Sequence, residues 1–180
     1  MANLKEIRTR IGSVASTMQI TSAMKMVSAA KLKRAQDAIT QMRPYAEKLR
    51  EILVNISSTL EGSAEGAYSQ EREVKKVLIV AIASNRGLCG AFNANIFKAT
   101  EKRIKEYEGK EVQVYAIGKR SADYFAGKYT VFNSNTEIFN DLNYEHVALI
   151  AEEVMAAFVD GEFDKVEIIN RKKMKLILER

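Results

Sequence analysis

An apolar seam with heptad spacing runs through the first 60 residues and constrains the fold more than any other feature. Counting from Leu4 in alternating steps of three and four gives seventeen positions, of which fourteen are apolar. The large seam residues are Leu4, Ile7, Ile11, Val14, Met18, Leu32, Ile39, Met42, Leu49, Leu53 and Ile56. This pattern lasts about eight heptads, where three or four already indicate a coiled coil. Residues 1–60 are therefore predicted to form one coiled-coil shaft helix of roughly 85 Å.

Two features interrupt the regular seam. Its three polar positions, Thr21, Lys25 and Ser28, all fall inside "ITSAMKMVSAAKLKRA", where the apolar residues are mostly small or Met. Pro44 lies further along and should either kink the helix or begin a second one. Because the register continues through Pro44, we expect one kinked helix. The alternative is an ordinary amphipathic helix folded on its own domain, but the length and the unbroken register argue against it.

Positive charge is concentrated in the same segment. Residues 1–36 hold seven basic residues and one acid, a net +6, whereas the whole chain is +5. A clustered positive surface favours an acidic partner, which could be nucleic acid, anionic lipid or an acidic protein. One Cys and one His exclude a Cys/His metal site, and the lone Cys fits a reducing compartment. No secretory signal or membrane-spanning apolar run is visible.

The rest of the chain has the pattern of an α/β domain. Residues 61–74 are predicted to be a linker, 75–170 a Rossmann-like domain, and 171–180 a divergent tail. Strands are predicted at 75–84, 111–118, 128–133 and 164–170, with helices at 91–107, 119–126 and 143–159. This alternation predicts a mostly parallel sheet with helices on both faces, from which the long helix projects. The tail is either an edge strand or a short frayed end.

The turn after the first strand, "SNRGLCGAFN", is the strongest candidate site within the α/β domain. Gly87 and Gly90 permit a tight turn before a helix, which could cradle a phosphate. The turn matches neither G-x-G-x-x-G nor a P-loop, so a structural turn or a protein contact through Arg86 is favoured. Cys89 could be a nucleophile with His146 as its base, but an inert thiol and a surface His are commoner.

Two further groups in the domain have simpler interpretations. Tyr124 and Phe125, in "SADYF", are expected to pack in the core. Glu152 and Glu153, in "AEEVM", are expected to form a solvated helix face.

Three stretches carry a family resemblance. They are "ANLKEIRTRIGSVASTMQITSAMKMVSAAKLKRAQ", "RPYAEKLREIL" and "SNRGLCGAFNANIF". In order and spacing they resemble the gamma subunits of F-type, proton-translocating ATP synthases, over about residues 2–170. The resemblance implies a non-catalytic central rotor shaft inside a ring of alternating alpha and beta subunits. Proton flow turns this shaft, and its asymmetry sets the state of each catalytic site on the beta subunits.

The resemblance also implies partners and a location. The Rossmann-like domain would lie near the epsilon subunit and the membrane c-ring, at the cytoplasmic face of the cell (inner) membrane, in a peripheral complex. It implies no bound nucleotide, other cofactor or metal, and no catalytic residue in this chain. Residues expected to face acidic segments of the beta subunits are Met24, Lys25, Met26, Val27, Lys31, Leu32, Lys33 and Arg34 in the shaft. A second group is Arg86, Gly87, Leu88, Cys89 and Gly90.

One departure from the family concerns length. The chains of that family continue beyond the equivalent of Arg180 to a C-terminal helix that pairs antiparallel with the first, and the match is poor after Asn170. We therefore expect a shortened chain whose seam lacks its partner and self-associates through residues 4–60. Two other functions stay open. A basic arm could bind nucleic acid, although no aromatic interleaving supports this, and an enzyme could rest on Cys89 or on the glycine turn.

Overall fold

The computed structural model describes residues 3–59, 68 and 73–170, and the backbone of 175–178. The chain divides into two units, Met1–Gly62 and Ser63–Arg180, and each is described by itself. Most of the predicted linker, 61–74, lies outside the described residues, as do the side chains of the tail. The predicted boundaries therefore stay predictions.

The first unit is a single helix. Helix α1 spans Leu4–Thr59, 56 residues, and continues through Pro44, so no second helix begins there. Its described side chains, from residue 3 to residue 56, are all exposed. Four threonines donate their hydroxyls to carbonyls one turn earlier, as Thr17 does to Ser13 O at 2.9 Å. Intrahelical bonds satisfy these hydroxyl groups, and the apolar seam residues between 3 and 56 are exposed.

The second unit is an α/β sheet domain, as predicted. Its elements are β1 (Lys76–Ile82), α2 (Phe92–Glu106), β2 (Glu111–Ile117), α3 (Lys119–Phe125), β3 (Val131–Asn135), α4 (Tyr144–Val159), β4 (Lys165–Ile169) and β5 (Lys175–Leu178). The strand order is β3-β2-β1-β4-β5. The first four strands are parallel, and β5 pairs antiparallel with β4 at the edge. Residues 175–178 of the tail thus adopt the edge-strand alternative.

The central strand explains how both faces are covered. All five residues from Val77 to Ala81 are buried, because helices pack on each side of β1. Val77 and Ile79 face α2, where they pack with Ile96. Leu78 and Val80 face the opposite way, where they pack with α4 residues such as Ile150 and Phe158. The run of apolar residues in β1 therefore serves two cores, one on each face of the sheet.

Strand β3 begins later than predicted. Residues 128–133 were expected to be extended, but the N–H groups of Lys128 and Tyr129 both donate to Phe125 O and close a turn after α3. The strand runs from Val131 to Asn135, and its register with β2 shifts between Val114 and Tyr115. A β-branched Thr and an aromatic ring suggested strand there, but the helix-terminating turn overrides that local preference.

Buried charge lies on the α2 face of β4. Glu167 is 2% exposed and accepts hydrogen bonds from the Arg103 guanidinium and from Tyr107 Oη. Burial alone would raise the pKa of Glu167, but these hydrogen bonds and the neighbouring positive charges hold that pKa below its ordinary value. Burial also lowers the pKa of Lys165, on the same face. Helix α2 is therefore tied to the sheet by a paired charge as well as by apolar packing.

Candidate partner interface

The eight shaft candidates are distributed around the circumference of α1 and do not share one face. All eight, from Met24 to Arg34, are exposed. Residues seven apart lie on nearly the same side of an α-helix. The pairs formed in this way are Met24 with Lys31, Lys25 with Leu32, Met26 with Lys33, and Val27 with Arg34. Each side of this part of α1 thus presents an apolar side chain and a cation about 10 Å apart along the axis.

The positions that flank the seam carry only one sign of charge. With Leu4 at heptad position a, the charged residues at positions e and g are Arg8, Arg10, Lys31, Arg43 and Arg50. The four acids of α1 all lie at positions b, c or f, away from the seam. In coiled coils, the e and g charges select the partner through interhelical ion pairs. A partner with acidic e and g residues would match this seam better than a second copy would.

The turn after β1 is held by a local network. Ser84 Oγ donates to Arg86 O at 2.5 Å, and Ser84 N donates to Asn93 Oδ1 at 3.1 Å. Asn93 belongs to the first turn of α2, so these bonds join the end of β1 to the start of the helix. Ala91, the N-cap residue of α2, makes no side-chain cap. The Ser84 and Asn93 side chains therefore shape the turn between β1 and α2.

A second network ties this turn to its neighbours at the carboxyl edge of the sheet. Asn85 Nδ2 donates to Thr136 O at 2.8 Å, and Asn85 Oδ1 accepts from Lys119 N at 2.9 Å. Arg120 N donates to Ser84 O at 3.1 Å. The turns that follow β1, β2 and β3 are therefore linked through Asn85. This arrangement holds the candidate residues of the first turn in place.

The tip of the turn is exposed and has an unusual backbone. Leu88 is fully exposed and has φ = 59°, in the left-handed region that a bulky residue rarely adopts. Gly90 also has φ = 59°, where glycine has no steric cost. Arg86 and Cys89 are exposed beside Leu88. The five residues Arg86–Gly90 thus present a cation, an isobutyl group and a thiol to solvent.

Gly118, which follows β2, makes a very close backbone contact with the end of β1. It has φ = 93°, and an added Cβ would overlap Ala83 O. Its N–H donates to Asn135 O at 2.8 Å, while Ala83 N donates to Ile117 O at 2.9 Å. The ends of β1, β2 and β3 can meet this closely because residue 118 has no side chain.

The possible catalytic pair is not assembled. The Cys89 thiol lies 3.9 Å from Ser84 Oγ, whereas His146 Nδ1 contacts Asp141 O at 2.9 Å. No hydrogen bond joins Cys89 and His146 in the described part of the chain. Over the same residues, no group of three His, Cys, Asp or Glu side chains is placed to hold a metal ion.

The two remaining predictions, for the aromatic pair and for the glutamate pair, have different outcomes. Phe125 is fully buried and stacks edge-on with Phe97, and Tyr124 is half-buried against the same cluster, so both pack at the core as predicted. Glu152 is exposed as expected. Glu153 was wrongly assigned to a solvated face, because it accepts hydrogen bonds from Tyr115 Oη, at 2.6 Å, and from Asn133.

The sequence interpretation missed the residues that support the turn. Ser84, Asn85 and Asn93 were noted only as part of the motif, although Ser and Asn at a strand end commonly bond to local backbone. Gly118 and Arg120 were not considered as part of this site. The segment after β2, which contains Gly118 and Arg120, meets the turn after β1 only because the two strands are parallel neighbours. No local sequence pattern predicts that strand order.

Comparison of the sequence with known proteins identifies the family of this chain. A sequence profile of the ATP synthase family matches residues 3–178. The ATP synthase gamma chain of Flavobacterium johnsoniae is 62% identical over 169 residues. That of Flavobacterium psychrophilum is 59% identical over 169 residues. The chain belongs to the ATP synthase gamma-chain family.

The alignments cover nearly all of this chain but only part of each gamma chain. Each alignment covers 94% of this chain but 59% of the Flavobacterium gamma chain, so the chain spans about three fifths of the length of its curated relatives. A structure of the central stalk and c-ring of the Tetrahymena thermophila mitochondrial ATP synthase is similar in fold, with a TM-score of 0.66 at 25% identity. That match covers 83% of this chain and 63% of the other. Within the described residues, no helix of this gamma-family chain is long and apolar enough to cross a membrane.

Proposed function

We propose that this chain is the shaft-bearing part of a non-catalytic rotor subunit in the central stalk of an F-type ATP synthase. Helix α1 lies inside a ring of alternating alpha and beta subunits and turns there. Its rotation couples proton flow through the membrane sector to conformational change at the catalytic sites of the beta subunits. The observation that carries the proposal is the family match over residues 3–178, together with a 56-residue helix whose described side chains are all exposed.

The shaft surface between Met24 and Arg34 suits a partner that surrounds it. Methionine and alanine side chains give soft contacts that tolerate sliding. Lysine and arginine can form exposed ion pairs with acidic segments of the beta subunits, each worth only about 0–1 kcal/mol. Such pairs break easily as the shaft turns. Because cations are present on every side of α1, each beta subunit of the ring meets one in turn.

The tip Arg86–Gly90 is proposed as a second contact with the beta subunits. Its Arg provides charge for an acidic segment, and Leu88 provides an exposed apolar group. The Ser84 and Asn85 networks hold the tip in one conformation, so that binding costs little ordering entropy. The epsilon subunit and the c-ring are proposed as partners of the sheet unit, in a peripheral complex at the cytoplasmic face of the inner membrane.

Reconstitution tests the rotor function. Residues 1–169 of this chain would be joined to the remaining C-terminal part of the Flavobacterium johnsoniae gamma chain and combined with alpha and beta subunits of that bacterium. We expect the chimera to support ATP hydrolysis at a rate close to that with the Flavobacterium gamma chain. A chimera that is folded by circular dichroism but supports no hydrolysis would contradict the proposal.

Thiol labelling tests the contact made by the tip. Cys89 is the only cysteine and is exposed, so a maleimide should label it rapidly in the free chain. In the assembled chimera, its labelling rate should fall at least several-fold. Arg86→Ala should restore part of that rate by weakening the contact, with Lys98→Ala, on an exposed side of α2, as the control. Equal labelling of Cys89 in the free and assembled forms would exclude this contact.

A further inference from the structure

A second charged region has the opposite sign to α1 and lies outside both the shaft and the Arg86–Gly90 tip. Between residues 129 and 164 the chain has eight acids and no Lys or Arg, although its overall charge is +5. The acids are Glu137, Asp141, Glu145, Glu152, Glu153, Asp160, Glu162 and Asp164. This stretch contains α4 and the turns on either side of it. Every Asp or Glu in this stretch therefore lies in a segment without a Lys or Arg.

Helix α4 also exposes apolar side chains within this acidic region. Tyr144, Val147, Met155 and Val159 are 85%, 44%, 42% and 40% exposed. Their spacing of three, eight and four residues places them in one stripe along the helix. The stripe adjoins the buried side of α4, where Ile150 and Ala157 pack on the sheet. Helix α4 thus has more apolar surface than the sheet covers.

Acidic residues border this stripe on the solvent side. Glu145 and Glu152 are seven residues apart and form a row next to the stripe. Leu149, 64% exposed, lies just beyond that row. We call this set of residues the α4 surface: Tyr144, Glu145, Val147, Leu149, Glu152, Met155 and Val159. It combines an apolar stripe with negative charge at its border.

From these features we propose that the α4 surface docks a basic amphipathic helix of a partner protein. Its apolar residues cover the stripe, and its cations face Glu145 and Glu152. The negative charge of the region repels nucleic acid and anionic membranes, so charge complementarity selects a basic polypeptide. The inference goes beyond the rotor function and does not depend on it, since α4 belongs to neither the shaft nor the Arg86–Gly90 tip.

Titration of the full chain with designed peptides tests the proposal. The probe is a fluorescent 14-residue peptide of Leu and Lys with the Leu residues on one helical face. A shuffled peptide of the same composition lacks that face, and a Leu/Glu peptide reverses the charge. We expect the amphipathic Leu/Lys peptide to bind about tenfold more tightly than the shuffled one. It should also shift the methyl resonance of Met155 more than that of Met24.

Variants locate the binding surface. Glu145→Lys with Glu152→Lys should weaken the Leu/Lys peptide about tenfold or more, and Met155→Ser several-fold. Glu108→Lys with Glu111→Lys makes the same charge change at exposed sites outside the α4 surface and should leave the affinity unchanged. Circular dichroism verifies that each variant is folded. Equal affinity for the shuffled peptide, or no effect of the α4 changes, would overturn the proposal.

A further test distinguishes a different partner protein from a second copy of this chain on the α4 surface. Sedimentation equilibrium without peptide would compare the wild-type chain with the Glu145→Lys/Glu152→Lys variant. We expect the same self-association in both, because the proposed partner of the α4 surface is a different protein and not a second copy. Loss of self-association in the variant would identify a second copy as the occupant, and the proposed partner protein would be wrong.

Discussion

Leu32 and Leu78 are the same residue type in two opposite situations. Leu32, on the α1 seam, is 59% exposed, whereas Leu78, in β1, is fully buried between the sheet and α4. The sheet unit therefore has a packed core of its own, whereas the described side chains of α1, residues 3–56, are all exposed. In proteins, most of the stability of a helix comes from tertiary packing of its apolar face. The comparison indicates that α1 carries a surface whose stabilising contacts come from another chain or segment.

The largest expected effect tests this contrast directly. Leu78→Ala should lower the free energy of unfolding of the sheet unit by about 4 kcal/mol, because it leaves a cavity in a packed core. Leu32→Ala should change it by less than about 0.5 kcal/mol, as expected for an exposed position. Hydrogen exchange of the β1 amides during urea titration measures both. A similar loss from the two variants would show that the seam is packed within the chain.

The next largest effect concerns the buried charge of the sheet unit. Glu167→Gln leaves the Arg103 guanidinium without its anionic partner and should cost about 3 kcal/mol at pH 7. Because the folded-state pKa of Glu167 lies below its ordinary value of 4.5, its contribution is present above that pH and is lost as pH falls through the folded-state value. The wild type and the variant should therefore converge in stability as the pH falls below the folded-state pKa of Glu167.

The matched control for this effect is Glu108→Gln. Glu108 is an exposed acid close to Arg103 in the chain. The substitution should change stability by less than about 0.5 kcal/mol across the pH series. Urea unfolding followed by tyrosine fluorescence can compare the three proteins from pH 7 into strong acid. A gap between wild type and Glu167→Gln that does not narrow anywhere in the series would contradict the role of the Glu167 charge.

A smaller effect is expected in the association of α1. Leu53 lies on the seam and Val54 next to it, and both are exposed, at 64% and 57%. Leu53→Asp should weaken self-association about tenfold or more, whereas Val54→Asp should have little effect. Because every charged residue that flanks the seam is basic, added salt should strengthen self-association by screening repulsion. Sedimentation equilibrium at several salt concentrations measures both effects, and a monomer at high concentration with helical α1 would contradict them.

The two units also differ in how far their sequences predict them. The heptad count predicted one helix over residues 1–60, and α1 spans Leu4–Thr59, because a single spacing rule applies along its whole length. In the sheet unit, continuous apolar runs such as Val77–Ala81 revealed the central strands. Glu167 and Lys165 were not foreseen as buried charges, since their partners come from α2. The partners of Asn85 likewise come from the turns after β2 and β3, so only the strand order brings the site together.

The smallest effect concerns the tip of the candidate interface. Leu88 adopts φ = 59°, which costs an L-residue roughly 1 kcal/mol but costs glycine almost nothing. Leu88→Ala and Leu88→Gly both remove the exposed isobutyl group, and only the second removes the backbone strain. We expect Leu88→Gly to be more stable than Leu88→Ala by about 0.5–1 kcal/mol, the reverse of the order in an ordinary exposed helix. Thermal unfolding of the two variants measures this difference. Greater stability of Leu88→Ala would show that the tip relaxes out of the left-handed region, and the fixed presentation of Arg86–Gly90 to a partner would then be lost.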